Sequence, residues 1–139
     1  MKKSGDRKLT FLKMLLLLSS LAWGISFGGV VLPWSQVSYI LNGLGLEKVP
    51  DAPMFIYWFK MTAGALGFIG VIFIFLAINP IKYKLFTLIA GCFMMIEGFI
   101  ILIYGLLLKL PPIPFYFDVI FCVLNGLLII ILVSRCHAK

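Results

Sequence analysis

Charged residues are sparse, and the stretches between them are long and apolar: residues 14–46, 61–81, 85–96, 98–108 and 119–134 contain no Asp, Glu, Lys or Arg. About twenty such residues, wound as a helix, cross the ~30 Å hydrocarbon core of a bilayer. Prolines punctuate the runs. Pro33-Trp34-Ser35 ends the first, because proline removes a backbone donor and tryptophan favours the membrane interface. Pro50 and Pro53 disfavour helix in the residues before them, Asn79-Pro80 closes the next run, and Pro111, Pro112 and Pro114 make a tight turn before the last. The pattern predicts TM1 over residues 9–32, TM2 over 54–78, TM3 over 85–108 and TM4 over 115–133. Short links force consecutive helices to run antiparallel, so the expected fold is all-α: a single integral-membrane domain, an up-down-up-down four-helix bundle. The one long loop, residues 34–53, is itself apolar through Val37, Tyr39, Ile40, Leu41, Leu44 and Leu46. It is expected to form a short interfacial helix ending at Asn42-Gly43 or Gly45, either a membrane-hugging connector or a lid over the bundle mouth.

Composition removes other classes. With 63% hydrophobic and 12% charged residues in 139, the chain is far more apolar than a soluble domain, and four crossings leave no room for a soluble catalytic domain. Positive charge is lopsided: Lys2, Lys3, Arg7, Lys8, Lys13, Lys82, Lys84, Arg135 and Lys139 fall on one side, Lys48, Lys60 and Lys109 on the other. Positive residues in short loops stay cytoplasmic, which puts both termini on the cytoplasmic face of a cell (inner) membrane. The net charge of +7 then reads as this bias plus attraction to the anionic headgroups of the lipid bilayer, and no nucleic-acid partner is expected. A cleavable signal peptide is the rival reading of the N-terminus, with Ser20 and Ala22 behind the apolar run, but the run continues to Leu32, the length of a spanning helix.

Cys92, Cys122 and Cys136 form no CxxC pair, His137 is the lone histidine, and neither a nucleotide-binding fingerprint nor a catalytic motif occurs, so no metal or other cofactor is expected. The cysteines are read as packing residues. Small residues are better organised. Gly91, Gly98 and Gly105 make one stripe of TM3, Ala63, Gly67 and Gly70 another on TM2, and Gly24 and Gly28 a small-xxx-small pair on TM1. Such stripes let helix backbones approach closely in lipid, either within the bundle or across a homodimer face.

Three ionisable residues fall within the spans: Lys60, Glu97 and Asp118. A charge in hydrocarbon is costly and normally finds an interior partner. Counted from the outer helix ends, Lys60 and Asp118 share a level ~6–9 Å deep, while Glu97 lies ~16 Å deep beside Asn125. Helical spacing puts Asp118, Cys122 and Asn125 on one face, Glu97 and Tyr104 on another, and Ser19, Trp23 and Ser26 on a third. Converging faces would enclose a pocket for a lipophilic or amphipathic small molecule, with a Lys60–Asp118 ion pair as anchor, Glu97 and Asn125 below, and Trp23, Tyr57 and Tyr104 as lining. Lys60 snorkelling outward and Asp118 capping TM4 is the plainer alternative. Glu97 is read as structural glue, donating to Asn125 or a carbonyl if protonated, as an acid-base group, or as a ligand contact.

The chain resembles the small four-helix bacterial membrane proteins grouped as DoxX-like and related uncharacterised domains. The resemblance rests on the basic N-terminus, the proline-ended TM1, the outer loop Leu41-Asn42-Gly43-Leu44-Gly45-Leu46, the charged residue entering a Gly-rich TM2, Ala77-Ile78-Asn79-Pro80-Ile81-Lys82-Tyr83 and the Gly98 to Gly105 segment. It implies a fold, and a role as an accessory subunit beside a membrane partner protein. By residue type alone, Glu97, Asp118 and Trp23 are similar to the carboxylates and aromatics of sterol-isomerase-type bundles, which would imply an intramembrane enzyme. Small multidrug exporters also have four helices and a membrane glutamate, but theirs belongs on the first helix, where this chain has none.

Overall fold

A computed structural model of the chain describes residues 2–45, 49–110 and 112–136. Leu46, Lys48, Pro111, His137 and Lys139, each used in the reading above, lie outside the described residues. The described residues contain helices and no strands: α1 (Lys2–Gly24), a 3-10 turn (Ile25–Phe27), α2 (Gly28–Val31), α3 (Trp34–Gly43), α4 (Pro53–Ile78), α5 (Lys84–Leu107) and α6 (Pro112–Arg135). Four segments are long and apolar enough to cross a membrane: Asp6–Val31, Pro53–Ile78, Lys84–Leu107 and Phe115–Arg135. The protein is therefore a multi-pass membrane protein of helical architecture.

Proline places the breaks. Leu32, just before Pro33, is extended at ψ 145°, and Ile113, just before Pro114, is extended at φ −113° and ψ 129° inside α6. Both obey the clash that keeps a residue before proline out of the helical region. The first helix starts at Lys2, several residues before the expected position 9, and runs through the Ser4-Gly5 pair without a break. It also tightens into a 3-10 turn where Gly24 and Gly28 flank Ile25–Phe27, glycine being the weakest helix former after proline.

The chain divides into two compact units, Met1–Ser19 with Phe73–Lys139, and Ser20–Ile72. In the Ser20–Ile72 unit the end of the first crossing packs antiparallel on α4. A Cβ added at Gly64 would meet Val30, one at Gly67 would meet Phe27, and one at Gly70 would meet Gly24, so the pairs run in opposite order along the two segments. The entry to α3 is tied down by Trp34, whose Nε1 donates to Asp51 Oδ1 at 2.6 Å and whose ring makes edge contacts with Phe55 and Phe59.

In the other unit α5 and α6 form a second antiparallel seam. Gly91 faces Gly126 and Ile130, Gly98 faces Cys122 and Val123, and Gly105 faces Phe115. The regular glycine stripe is thus spent on backbone approach within the chain. Asn79 Oδ1 accepts from Lys82 N–H at 3.1 Å and shapes the turn into α5. At the far end of α5, Lys109 takes a left-handed φ of 52°, with its N–H on Leu106 O at 3.3 Å and Leu110 N–H on Gly105 O at 3.0 Å. This is a Schellman cap built without glycine. Lys109→Gly should relieve the Cβ conflict and raise stability by ~1 kcal/mol, seen as a higher unfolding midpoint in detergent.

Candidate functional site

Three helical segments of the Ser20–Ile72 unit line a half-open cavity of about 520 Å³. From α4 it takes Phe59, Thr62, Ala63 and Leu66, and from α3 and its C-cap Val37, Ile40, Leu41 and Leu44. Both sets follow i, i+3, i+4, i+7 spacing, the apolar stripe of an amphipathic helix. The opposite side of α3 carries exposed Ser35, Gln36, Tyr39 and Asn42. The short helix expected after Pro33 is present and ends at Gly43, with Gly45 at a left-handed φ of 101°. Its apolar face forms one wall of the cavity.

The third wall comes from the end of the first crossing: Ile25, Ser26, Gly28, Gly29 and Leu32. A Cβ at Gly29 would already touch Ala63 at 2.9 Å, whereas one at Gly28 would meet only Leu32 Cδ1, at 3.8 Å. Gly28 therefore borders free space. Ser26 and Thr62 bring the only hydroxyls among the lining residues. Ser19, Thr10 and Thr87 each bond a carbonyl one turn back on the same helix. Neither Ser26 nor Thr62 makes such a bond among the described residues.

The seven residues singled out by sequence do not build this wall. Trp23, Tyr57 and Lys60 belong to the same unit, yet none of them lines the cavity. Tyr57 is exposed beside Trp58, and the buried Trp23 Nε1 has no hydrogen-bond partner among the described residues. Lys60 lies next to the cavity. Sequence reasoning gave it a carboxylate or an outward-snorkelling stem; the structure gives it two backbone acceptors, with Nζ donating to Val30 O at 2.9 Å and to Leu32 O at 3.2 Å. These are carbonyls at the C-terminal end of the first crossing, left without intrahelical partners where Pro33 stops the helix, and a cation is favoured there.

The remaining four lie in the other unit. Asp118 and Tyr104 are exposed, and Glu97 is half-buried. Asn125 is buried, its Nδ2 donating to Ser19 Oγ at 2.7 Å, while its Oδ1 has no partner among the described residues. The Glu97-to-Asn125 bond expected from their shared depth is not formed; the amide instead reaches a serine that sequence reasoning placed on a different face. Cys92, Cys122 and Cys136 are free, and no group of metal-ligating side chains gathers among the described residues. What sequence reasoning missed is the cavity itself, whose signal was the apolar i, i+3, i+4, i+7 stripe of α3 facing Gly28. Set against protein-family models, curated proteins and solved structures, the chain matches none.

Proposed function

We propose that this is a non-enzymatic protein of the cell (inner) membrane, an up-down four-helix bundle with both termini cytoplasmic, that holds a lipophilic small molecule in the cavity beneath α3. The observation that carries the reading is the cavity, whose volume of about 520 Å³ is that of a small-molecule pocket and whose walls are almost wholly hydrocarbon. Apolar walls make no demand on the ligand beyond shape and hydrophobicity, so the occupant is a hydrocarbon chain or ring system drawn from the bilayer. Lys60 stands beside the cavity; Glu97, Asp118 and Asn125 enter this reading as structural groups, with no chemistry assigned to them.

Gly28→Leu tests it. The backbone there is ordinary right-handed helix, at φ −54° and ψ −37°, so leucine is conformationally acceptable and improves helix propensity by up to ~1 kcal/mol. Its side chain would occupy the cavity. Native mass spectrometry of protein extracted gently from its own membrane should find a lipophilic molecule on the wild type and none on Gly28→Leu, with the unfolding midpoint of the variant held or raised. Equal retention by both proteins, or a wild type that carries a partner chain and no small molecule, would replace this reading with that of an accessory subunit.

A further inference from the structure

The Lys60 ammonium poses a problem that its two carbonyl partners solve only in part. An ammonium has three N–H donors, and Val30 O and Leu32 O take two of them. The carbonyls supply dipoles, and among the described residues no carboxylate neutralises the charge, in a segment where an unpaired charge is costly. Among the described residues of the Ser20–Ile72 unit, the other charge is Asp51, and its Oδ1 is engaged by Trp34 Nε1 at 2.6 Å. Lys60 makes no ion pair with it.

The position of this charge matters as much as its state. Leu32, whose carbonyl Lys60 holds, lines the cavity, and so does Phe59, the preceding residue on α4. An unspent cationic donor thus sits at the edge of a hydrocarbon-walled space. That combination is complementary to a molecule with an apolar chain and a compact anionic head.

We propose that the cavity takes a single-chain carboxylate amphiphile, a fatty-acid-like molecule, with its chain beneath α3 and its carboxylate on Nζ of Lys60. The assignment rests on the cavity being a lipophile site, and it adds the head group. Lys60 would then hold two carbonyls of the first crossing and the ligand head at once, coupling the end of that helix to occupancy. The helix end needs only a donor. A preference for charge over neutrality in the ligand is what a purely structural lysine would not produce.

The test uses the full chain in nanodiscs of neutral phosphatidylcholine, with dibrominated stearate and dibrominated stearyl alcohol as probes that quench tryptophan on contact. Trp34 is the reporter, since its ring lies 5.6 Å from that of Phe59 in the cavity wall. Trp23→Phe and Trp58→Phe remove the other two indoles, the first without breaking any bond, as its N–H has no partner. Specific quenching is the part that Gly28→Leu abolishes. The carboxylate should bind roughly ten-fold more tightly than the alcohol, the preference should vanish in Lys60→Met and survive in Lys60→Arg. Equal binding of acid and alcohol by the wild type, or a preference that persists in Lys60→Met, overturns the head-group assignment and leaves the cavity reading standing. No specific quenching by either probe overturns both. The wild-type comparison of acid with alcohol needs no variant at Lys60, so a Lys60→Met protein that fails to fold does not shield the proposal.

Discussion

Gly70→Val is expected to destabilise the protein by ~3 kcal/mol or more, the upper range for overpacking, because the new side chain would meet backbone. A Cβ at Gly70 would lie 2.5 Å from Gly24 N, 2.7 Å from Gly24 Cα and 2.9 Å from Ser20 O. None of those atoms can rotate aside as a side chain does, so α4 and the first crossing must move apart along the seam, and the loss of contact spreads to Phe27 on Gly67. Two other glycines set the scale. At Gly105 the obstacle is the Phe115 ring, which can swing, so Gly105→Ala should cost less than Gly70→Ala. At Gly64 the nearest atom is Val30 Cγ2 at 3.6 Å, an ordinary contact, and Gly64→Ala should be neutral or stabilising by up to ~1 kcal/mol through helix propensity. Unfolding midpoints in detergent for the three alanine variants and Gly70→Val would rank them. If Gly70→Val unfolded where Gly64→Ala does, Gly70 would not lie against Gly24 and Ser20.

The same glycines show where sequence is informative. A repeat of small residues on one helical face states that something approaches closely, and Gly91, Gly98 and Gly105 do receive α6. It does not state what approaches: bundle packing was the favoured reading and a dimer face the rival, and the pairing with Gly126, Cys122 and Phe115 assigns it within the chain. Helices and their ends were legible because proline acts locally, and Leu32 and Ile113 are extended for a reason confined to the next residue. Partners of buried polar groups were not legible. Depth along the membrane normal put Lys60 level with Asp118 and Glu97 level with Asn125, but depth fixes one coordinate of three. The actual partners of Lys60 are main-chain carbonyls, which a search restricted to oppositely charged side chains overlooks although Pro33 announces that such carbonyls exist. The cavity was least legible of all, since an absence of side chains at Gly28 becomes a space only when α3 folds over it.

Ser19→Ala should cost ~1–2 kcal/mol, and nearly all of that cost should disappear when Asn125 is replaced by leucine as well. Ser19 Oγ accepts from Asn125 Nδ2 at 2.7 Å and donates to Leu15 O at 3.0 Å, both in buried surroundings. Removing the hydroxyl strands a carboxamide whose Oδ1 already lacks a partner, so neither end of the amide is satisfied. Asn125→Leu alone acts in the opposite sense. It exchanges the orphaned carbonyl for hydrocarbon of similar volume and leaves Ser19 its bond to Leu15, so it should be neutral or stabilising. In the double variant no buried amide remains to be stranded, and Ser19→Ala then removes only a hydroxyl already satisfied on its own helix. The coupling between the two sites, read from unfolding in detergent of the wild type, both single variants and the double, should therefore be ~1–2 kcal/mol. A Ser19→Ala penalty of the same size in both backgrounds would mean that the amide and the hydroxyl are not partners, and the buried polar contact of α1 with α6 would have to be redrawn.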